Sequence, residues 1–464
     1  MERLSTGRER LDGVLGGGLI ANSITLLVGA PGSGKTMLAE QCMFTNATPQ
    51  LPGLYLSTVS EPLDKLLRYG QSLAFFDAAE VGRSVFFDEL GSALDHGGLP
   101  ATLERIDTLI KEHGPGLVVI DSFKALKAFA QSEGEFRGFL HDLAGRLTAR
   151  AISALWVGEY AAADAIDSPE FAVVDAVIDL ATKHTGERSI RYLTVLKLRG
   201  SNFASGEHAY RLSADGITVF PRLAEPRDGA PFEADGRARL STGISVLDQA
   251  LGDGYWPGSA TLVAGPSGAG KTLMGLHFLY AGAASDEPGM LVTLQESRAQ
   301  LSRIIEGFGW SFSDPKVTVL DRSPVDIYVD EIVYDVLDRA EEAKARRVVI
   351  DSLNDLMVAA PDELRFREFV FSLVQRLARA GISVMFTLES PELFRVTRLS
   401  EYGMSHIADN VILLQHLRDG AEMKRTLTVL KTRGSSHATA VREFRISRGG
   451  ITLGDPLDLS SIPQ

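Results

Sequence analysis

Two stretches of this chain carry a residue pattern that binds phosphate. Gly29–Thr36 and Gly265–Thr272 both fit the spacing G-x-x-x-x-G-K-[ST]. In this pattern the glycines let backbone N–H groups point at a phosphate, the lysine adds a positive charge, and the final hydroxyl can ligate Mg²⁺. Each stretch therefore predicts a nucleotide site. The predicted contacts are Gly32, Ser33, Gly34, Lys35 and Thr36 in the first, and Gly268, Ala269, Gly270, Lys271 and Thr272 in the second.

The segments on either side of each loop fit this chemistry. The apolar runs Ile24–Val28 and Ala260–Ala264 predict buried strands before the loops, and helical patterns follow at 37–44 and 273–280. A loop between a strand and a helix places the phosphates at the positive end of the helix dipole. We therefore expect Lys35 and Lys271 to contact the phosphates and to act in catalysis.

An aspartate at the end of a later strand adds an acidic residue to each predicted site. Leu117–Ile120 and Val348–Ile350 are apolar runs followed by Asp121 and Asp351. Such runs are typical of strands that are buried on both faces of a parallel sheet. The aspartate at the carboxyl end of the strand can hold hydrated Mg²⁺ opposite the loop threonine. Asp121 and Asp351, with Thr36 and Thr272, are thus predicted metal-site residues.

The two halves of the chain repeat one another. Arg3–Gly7 returns as Arg239–Gly243, and both this segment and the phosphate loop recur after 236 residues, which indicates a duplication. The pattern predicts an α/β fold with two tandem P-loop domains, each a mostly parallel sheet flanked by helices, with antiparallel C-terminal strands. The predicted divisions are a first domain at 1–220, a linker at 221–236, a second domain at 237–454 and a tail at 455–464.

Composition limits the function classes. A length of 464 residues fits two or three domains, and a net charge of −13 argues against broad nucleic-acid binding. The single cysteine excludes an internal disulfide. No apolar run approaches the ~18 residues of a membrane span, and no secretion signal precedes the first motif. A cytoplasmic protein with no membrane partner is expected.

Together, these motifs resemble the KaiC group of RecA-like ATPases. The loops, the aspartates, Gln295–Leu301, Ile412–Gln415 and the Lys-x-Arg-Gly-Ser segments at 197–201 and 431–435 carry the resemblance. It implies a homo-oligomer, a hexameric double ring with ATP and Mg²⁺ between neighbouring subunits, slow ATP hydrolysis and, in some members, autophosphorylation of the C-terminal domain. It also implies four cations that reach the γ-phosphate on the adjacent subunit: Lys197, Arg199, Lys431 and Arg433.

One departure from the family pattern concerns turnover. In the family an acidic pair follows the second strand, and its first member is the usual candidate for polarising the nucleophile. We align that pair with Ser60-Glu61 and Gln295-Glu296. Gln295 can orient a nucleophile but cannot take its proton. Either Glu61 and Glu296, which are also predicted metal-site residues, take over the role, or hydrolysis is very slow.

A second departure concerns phosphorylation. The family's paired Ser-Thr acceptors align here with Ser405 and His406, so one hydroxyl remains. Ser405 is the candidate phosphoacceptor, and a plain polar residue of a loop is the equally weighted alternative. A phosphorylation cycle that uses two neighbouring sites cannot operate unchanged.

Two other functions compete with the ATPase. An ATP-gated scaffold would assemble and recruit a signalling protein with negligible turnover, and Ser60 and Gln295 favour it. A DNA-dependent recombinase or helicase on the same fold is disfavoured by the acidic charge. Glu159 and Glu389 end the strands after the aspartates, at the sheet end where ligands bind in α/β folds. They are either nucleotide sensors or solvated strand ends.

Overall fold

The apolar runs before the two phosphate loops form central strands, Ile24–Gly29 and Ala260–Gly265, in which every residue is buried. The computed structural model describes residues 2–58, 63–161, 164, 168–185, 188–223, 238–323, 328–360, 362–390, 404–419 and 422–457. The chain divides into two compact units, Met1–Arg222 and Leu223–Gln464. Each unit is built around one large sheet.

The first unit interleaves strands with helices. Its strands are β1 (Arg3–Leu4), β2 (Leu19–Ile20), β3 (Ile24–Gly29), β4 (Gly53–Ser57), β5 (Val85–Glu89), β6 (Leu117–Asp121), β7 (Ser153–Gly158), β8 (Ala176–Thr185), β9 (Arg188–Leu198), β10 (His208–Ser213) and β11 (Gly216–Phe220). Its helices are α1 (Glu9–Val14), α2 (Lys35–Asn46), α3 (Leu63–Gly70), α4 (Gly91–His113), α5 (Glu133–Ala149) and α6 (Glu170–Val173), with a 3₁₀ helix at Phe123–Phe129.

Nine of these eleven strands form one sheet in the order β11-β10-β9-β8-β3-β7-β6-β4-β5, and β1 and β2 pair with one another separately. The six strands from β5 to β8 are parallel, and β9, β10 and β11 continue the sheet in antiparallel pairing. β3 lies at the centre with β7 and β8 as neighbours. The phosphate loop therefore leaves the sheet from a central strand that is buried at every residue.

The second unit repeats this plan. Its strands are β12 (Ala260–Gly265), β13 (Gly289–Thr293), β14 (Val317–Asp321), β15 (Arg347–Asp351), β16 (Ser383–Glu389), β17 (Asn410–Asp419), β18 (Glu422–Thr432), β19 (Arg442–Ser447) and β20 (Gly450–Pro456). Its helices are α7 (Ser245–Ala250), α8 (Lys271–Ala284), α9 (Arg298–Glu306), α10 (Val329–Glu342), α11 (Leu353–Ala359), α12 (Glu363–Arg379) and α13 (Met404–Ile407).

The second sheet has the order β14-β13-β15-β16-β12-β17-β18-β19-β20, which is the same topology read from the other end. The structure confirms the predicted fold class: two mostly parallel sheets flanked by helices, each extended by antiparallel C-terminal strands. In both units the loop of G-x-x-x-x-G-K-[ST] joins the central strand to a helix, α2 or α8.

Helix α4 begins ten residues before the helix that the sequence predicted from about 101. Its course is interrupted at Gly98, where φ is 60°. Glycine adopts a positive φ without steric strain. Pro100 lacks the N–H that would continue the helical hydrogen bonds of the residues before Gly98. The predicted helix is the segment after this kink.

The boundary between the units contains a residue with a structural role. Leu223 falls in the predicted linker, but it is only 4% exposed and packs in the core of the second unit. Its carbonyl oxygen accepts a hydrogen bond from Ser372 Oγ at 3.2 Å. The rest of the predicted linker, from 224, and most of the predicted tail, from 458, lie outside the described residues.

No described helix combines the length and the apolar character that crossing a bilayer requires.

Candidate nucleotide-binding sites

Both phosphate loops lie at the carboxyl ends of the parallel strands. Gly34 and Gly270 are the N-cap residues of α2 and α8, with φ of 92° and 102°. These angles favour glycine, and a Cβ at Gly34 would lie 2.7 Å from a methyl carbon of Leu212. A glycine cap has no side chain to satisfy the first N–H groups of the helix, so these groups are available to a phosphate.

The loop lysines are held under the loops by backbone carbonyls. Lys35 Nζ donates to Ala30 O at 2.8 Å, and Lys271 Nζ donates to Gly265 O at 3.0 Å and Pro266 O at 2.8 Å. Burial lowers the pKa of both lysines, and nearby carboxylates oppose this effect. Phosphate oxygens would supply the negative charge that a buried ammonium group needs.

The first site is a cavity of about 530 Å³. Thr36 Oγ1 donates to Asp121 Oδ2 at 2.7 Å, which brings the two predicted metal-site residues of this half together. The phenol of Tyr55 donates to the same Oδ2, also at 2.7 Å. The predicted residues on the cavity wall are Gly32, Gly34, Lys35, Thr36 and Asp121.

The second site is a smaller cavity of about 330 Å³. Here Asp351 accepts a hydrogen bond from the hydroxyl of Thr387 on the adjacent strand β16. Asp355, in the first turn of α11, also faces the cavity and accepts a hydrogen bond from Ser352 Oγ. The predicted residues on the cavity wall are Gly268, Gly270, Lys271, Thr272, Gln295, Glu296 and Asp351.

Glu296 stands out among the carboxylates of the second site. Its backbone carbonyl accepts a hydrogen bond from Thr293 Oγ1 at 2.7 Å, which fixes the turn after β13. Its Oε2 is buried, and no described residue donates to it. Burial, and then the charge of Asp351, raise the pKa of Glu296. A carboxylate with these properties is suited to accept a proton or a donor from a ligand.

The donor set fits Mg²⁺ in both sites. Carboxylate and hydroxyl oxygens are the ligands this ion prefers, and it usually takes only one or two protein ligands beside water and phosphate. Thr36 and Asp121 already lie within hydrogen-bond distance of one another. In the described parts of the chain, no three His, Cys, Asp or Glu side chains converge as a metal-binding group. A site completed by phosphate oxygens fits this arrangement.

Glu159 and Glu389 face the two cavities from the ends of β7 and β16. Lys124 Nζ donates to the Glu159 carbonyl at 2.7 Å, and Glu389 N donates to Asn354 Oδ1 at 2.7 Å. Both glutamates are therefore held by their backbones at the cavity wall. This placement fits the nucleotide-sensor alternative of the sequence analysis.

Two loop residues predicted to contact nucleotide are buried beneath the loops. Ser33 and Ala269 are 1% and 0% exposed. The carbonyl of Ser33 accepts a hydrogen bond from the phenol of Tyr210 at 2.6 Å. Tyr210 thus ties the antiparallel strand β10 to the phosphate loop.

The predicted γ-phosphate cations lie at the other end of the sheet. Lys197 Nζ donates to the carbonyls of Phe171 and Val174, at 2.9 and 2.6 Å, just before β8. In the second unit, Lys431 Nζ donates to Ala408 O at 2.8 Å and Arg433 Nη2 donates to His406 O at 2.9 Å. Burial lowers the pKa of Lys197 and Lys431, and the neighbouring arginines, Arg199 and Arg433, lower it further.

The strand ends before the acidic pair are equivalent in the two units, since Thr58 N donates to Asp121 O and Leu294 N donates to Asp351 O. The helices that follow begin at Leu63 and at Arg298, and each buries a leucine three residues on, Leu66 and Leu301. The pairing of Glu61 with Glu296 stays a prediction. Ser60 and Glu61 themselves lie outside the described residues.

Sequence reasoning missed the hydroxyl partners of the aspartates. Tyr55 lies in a strand that is buried throughout and Thr387 in one that is buried up to its last residue, so no alternation shows which side chain faces the site. Ser405 was predicted, and its backbone lies in α13. Its side chain lies outside the described residues.

Comparisons with known proteins agree with the fold. A family model described as the KaiC ATPase matches residues 4–224 and again residues 240–458. The circadian clock oscillator protein KaiC of a Picosynechococcus species is 30% identical over 472 residues, covering 98% of this chain and 90% of the relative. The protein of that name from Parathermosynechococcus lividus is 30% identical, covering 97% and 85%. The circadian clock protein KaiC3 of a Synechocystis species is 29% identical, covering 98% and 92%. The chain belongs to the KaiC family of ATPases.

Proposed function

We propose that both units bind ATP with Mg²⁺ at interfaces between subunits of a homo-oligomer, a hexamer, and that the assembly hydrolyses ATP slowly. The observation that carries this proposal is the separation of two parts of one site. The phosphate loop lies at one end of each sheet, and the Lys-x-Arg pair lies at the other end.

The size of this separation follows from the strand register. Arg199 N donates to Asp175 O, and Asp175 N donates to Ile24 O. Ile24 is the first residue of β3 and Gly29 is the last. At 3.3 Å per residue the pair lies about 17 Å from the loop along the strand.

The second unit has the same arrangement. Arg433 N donates to Asp409 O and Asp409 N donates to Ala260 O, at the start of β12. Gly265, where the loop begins, is the last residue of that strand. A cation at Arg433 is therefore too far from its own loop, which supports the proposal that it serves the loop of another subunit.

Supplying the cations from a neighbour makes turnover depend on assembly. The γ-phosphate gains negative charge as it transfers, and fixed cations stabilise that charge. In the proposed sites, Lys35 and Lys271 bind the phosphates from one subunit, and the Lys-x-Arg pair of the next subunit approaches from the other side. Bound Mg²⁺, held by Thr36 with Asp121 and by Thr272 with Asp351, would neutralise charge on the β- and γ-phosphates.

Transfer of the γ-phosphate to Ser405 is a second proposed activity. Ser405 belongs to α13, and the carbonyl of the next residue, His406, accepts a hydrogen bond from Arg433. The segment that carries Ser405 is thus attached to the cation proposed to reach the neighbour's γ-phosphate. This attachment favours phosphorylation between subunits.

Native mass spectrometry with and without ATP tests the main proposal. We expect a monomer or small oligomer without nucleotide and six chains with up to twelve bound nucleotides in ATP, one for each of two sites per chain. Phosphate release by the same sample measures turnover. A chain that binds ATP and stays monomeric while it hydrolyses at full rate would contradict a shared site.

Two alternative functions have distinct outcomes in the same samples. Assembly in ATP without phosphate release indicates a nucleotide-gated scaffold for an unidentified signalling protein. Stimulation of phosphate release by DNA, lost steeply with added salt, indicates a recombinase or helicase, against the net charge of −13. Mapping of phosphate on the chain by mass spectrometry after incubation with labelled ATP tests Ser405.

A further inference from the structure

We propose that Tyr160 and Glu170 are positioning residues for the nucleotide site of the adjacent subunit: together they hold the short helix α6, to which Lys197 and Arg199 are hydrogen-bonded. This inference rests on the proposed function, because it concerns how those cations are presented to a neighbour. It is carried by a buried hydrogen bond between the two residues and by the contacts of α6.

Both cations of the first unit are bonded to the same short segment. Lys197 Nζ donates to the carbonyl oxygens of Phe171 and Val174, and Arg199 Nη2 donates to that of Ala172 at 3.1 Å. These carbonyls belong to α6 and to the residue that follows it. The place of the cations relative to a neighbouring subunit therefore follows the place of α6.

Helix α6 depends on tertiary contacts for its position. It contains four residues, and a single helical turn makes too few backbone hydrogen bonds to be stable alone. Glu170, its first residue, is fully buried, and its Oε1 accepts a hydrogen bond from the phenol of Tyr160 at 2.6 Å. Phe171 packs edge-on against the same ring, with 5.4 Å between the ring centroids. Two consecutive residues of α6 thus contact Tyr160.

The phenol is the donor that the carboxylate of Glu170 needs. The other oxygen, Oε2, is buried and accepts no hydrogen bond in the described part of the chain. Burial, and then the charge of Glu170, raise the pKa of Tyr160, so the phenol stays protonated and donates. A buried carboxylate without a donor is costly. Loss of the phenol would therefore drive Glu170 toward water and displace α6 with it.

Tyr160 is itself attached to the central sheet. It follows β7, which is buried at every residue, and its ring lies over Gly158, where a Cβ would overlap the ring. Lys124 Nζ lies 4.9 Å from the centroid of the ring and donates to the carbonyl of Glu159. The hydrogen bond to Glu170 therefore ties α6 to a fixed part of the fold.

The second unit presents its cations on the equivalent helix, α13, with other residues at these two positions. Met404 begins α13 as Glu170 begins α6. Ser390 follows β16 where Tyr160 follows β7. The bond between Tyr160 and Glu170 is therefore a feature of the first unit, and its effect should be confined to sites formed by first units.

Mixed rings separate an effect on the neighbour from an effect on the chain's own cavity. Every chain carries Lys271→Ala, so that phosphate release comes from the first-unit sites. A cation-donor chain adds Lys35→Ala, and a loop-donor chain adds Lys197→Ala and Arg199→Ala. Working sites then form only where the loop of a loop donor meets the cations of a cation donor. Tyr160→Phe is placed in one type of chain or in the other.

In the cation donor, Tyr160→Phe should lower phosphate release by the mixed rings about 10-fold or more, since small misplacements of catalytic groups have effects of this size. In the loop donor, the same change should leave the rate within about twofold. Tyr160 is next to Glu159, which lines that chain's own cavity, so this arm is the matched control. Native mass spectrometry of each mixture counts the chains and the bound ATP and shows that mixed rings have formed.

Two further variants of the cation donor separate the hydrogen bond from the buried charge. Glu170→Gln keeps an oxygen that accepts from the phenol and should stay within about twofold of the normal rate. The double variant Tyr160→Phe/Glu170→Met removes the hydrogen bond without leaving a buried charge. It should assemble even where Tyr160→Phe does not, and it should show the same loss of phosphate release.

Three results would overturn the positioning role. They are a normal rate when the cation donor lacks the phenol, in the single or the double variant, an equal loss when the loop donor lacks it, and as large a loss in Glu170→Gln. Absence of phosphate release from mixed rings that keep Tyr160 in both chains would refute the shared site of the proposed function itself. That mixture is measured first, so the two failures are distinguished.

Discussion

The phenol of Tyr55 and the carboxylate of Asp121 form a 2.7 Å hydrogen bond between neighbouring strands β4 and β6. Burial, followed by the charge of Asp121, raises the pKa of Tyr55 well above its ordinary value. The phenol therefore stays protonated and donates a hydrogen bond to the carboxylate. The second unit satisfies its aspartate from the other side, with Thr387 on β16. The two units thus have the same sheet topology, but the strand-end aspartate is bonded from β4 in the first unit and from β16 in the second.

Removing the phenol tests what this bond contributes. Tyr55→Phe should destabilise the first unit by about 1–3 kcal/mol, because the variant removes a buried hydrogen bond to a charged group. The expected readout is a lower midpoint of urea unfolding, measured without nucleotide.

Residue Val157 offers a matched rescue for Tyr55→Phe. Val157 is the cross-strand neighbour of Asp121, as Thr387 is of Asp351, so Val157→Thr transplants the partner of the second unit. The double variant Tyr55→Phe/Val157→Thr should recover part of the lost stability. An unchanged midpoint in Tyr55→Phe alone would show that the bond contributes nothing.

Sequence alone predicted the parts of the site that depend on spacing along the chain. The glycine and lysine positions of each loop are local, and an aspartate after a run of apolar residues marks a strand end wherever that strand lies. Sequence could not identify Tyr55 as a partner of Asp121, because 66 residues separate them and only the strand order β6-β4 brings them together. The position of Glu296 beside Lys271 and Asp351 likewise depends on the fold and not on local spacing.

A mixing experiment tests whether the cations act between subunits. One variant lacks all four: Lys197→Ala, Arg199→Ala, Lys431→Ala and Arg433→Ala. The other lacks both loop lysines, Lys35→Ala and Lys271→Ala. Each alone should release phosphate at background, since each lacks half of every site.

Mixed in equal amounts, the two variants should regain about a quarter of the normal rate, because head-to-tail interfaces pair an intact loop with an intact Lys-x-Arg segment by chance. The control is each variant measured alone at the total concentration. A mixture that stays at background while forming mixed rings would mean that the cations do not complete a neighbour's site.

The pH dependence of turnover reports on Glu296. A general base works only when it is ionised, and burial with the charge of Asp351 raises the pKa of this group. Phosphate release should therefore fall as the pH drops, and this fall should begin at a higher pH than for an ordinary glutamate. In Glu296→Gln, the phosphate release that remains should not show this fall at low pH, the acid limb of the pH profile. An acid limb of the same shape in Glu296→Gln would assign it to another group.

The last prediction concerns His277, which occupies the position of Gln41 one repeat earlier. Gln41 Oε1 accepts from Ile217 N at 2.9 Å, and His277 Nε2 accepts from Ile451 N at 3.0 Å. The ring therefore serves as a neutral acceptor, and burial lowers its pKa from 6.5 to about 4. The unfolded chain binds this proton more readily, so stability from His277 is complete above pH 6.5 and is lost as the pH falls toward 4.

Over that range the second unit should lose on the order of 3 kcal/mol, from a pKa difference of about 2.5. The variant His277→Gln places the first unit's acceptor in the second unit, keeps the hydrogen bond to Ile451 N and removes the titration. Urea unfolding of both proteins at pH 7 and at pH 5 measures the difference. The histidine chain should lose more stability between the two pH values than the glutamine variant, and an equal loss would show that protonation of His277 does not limit the acid stability of this unit.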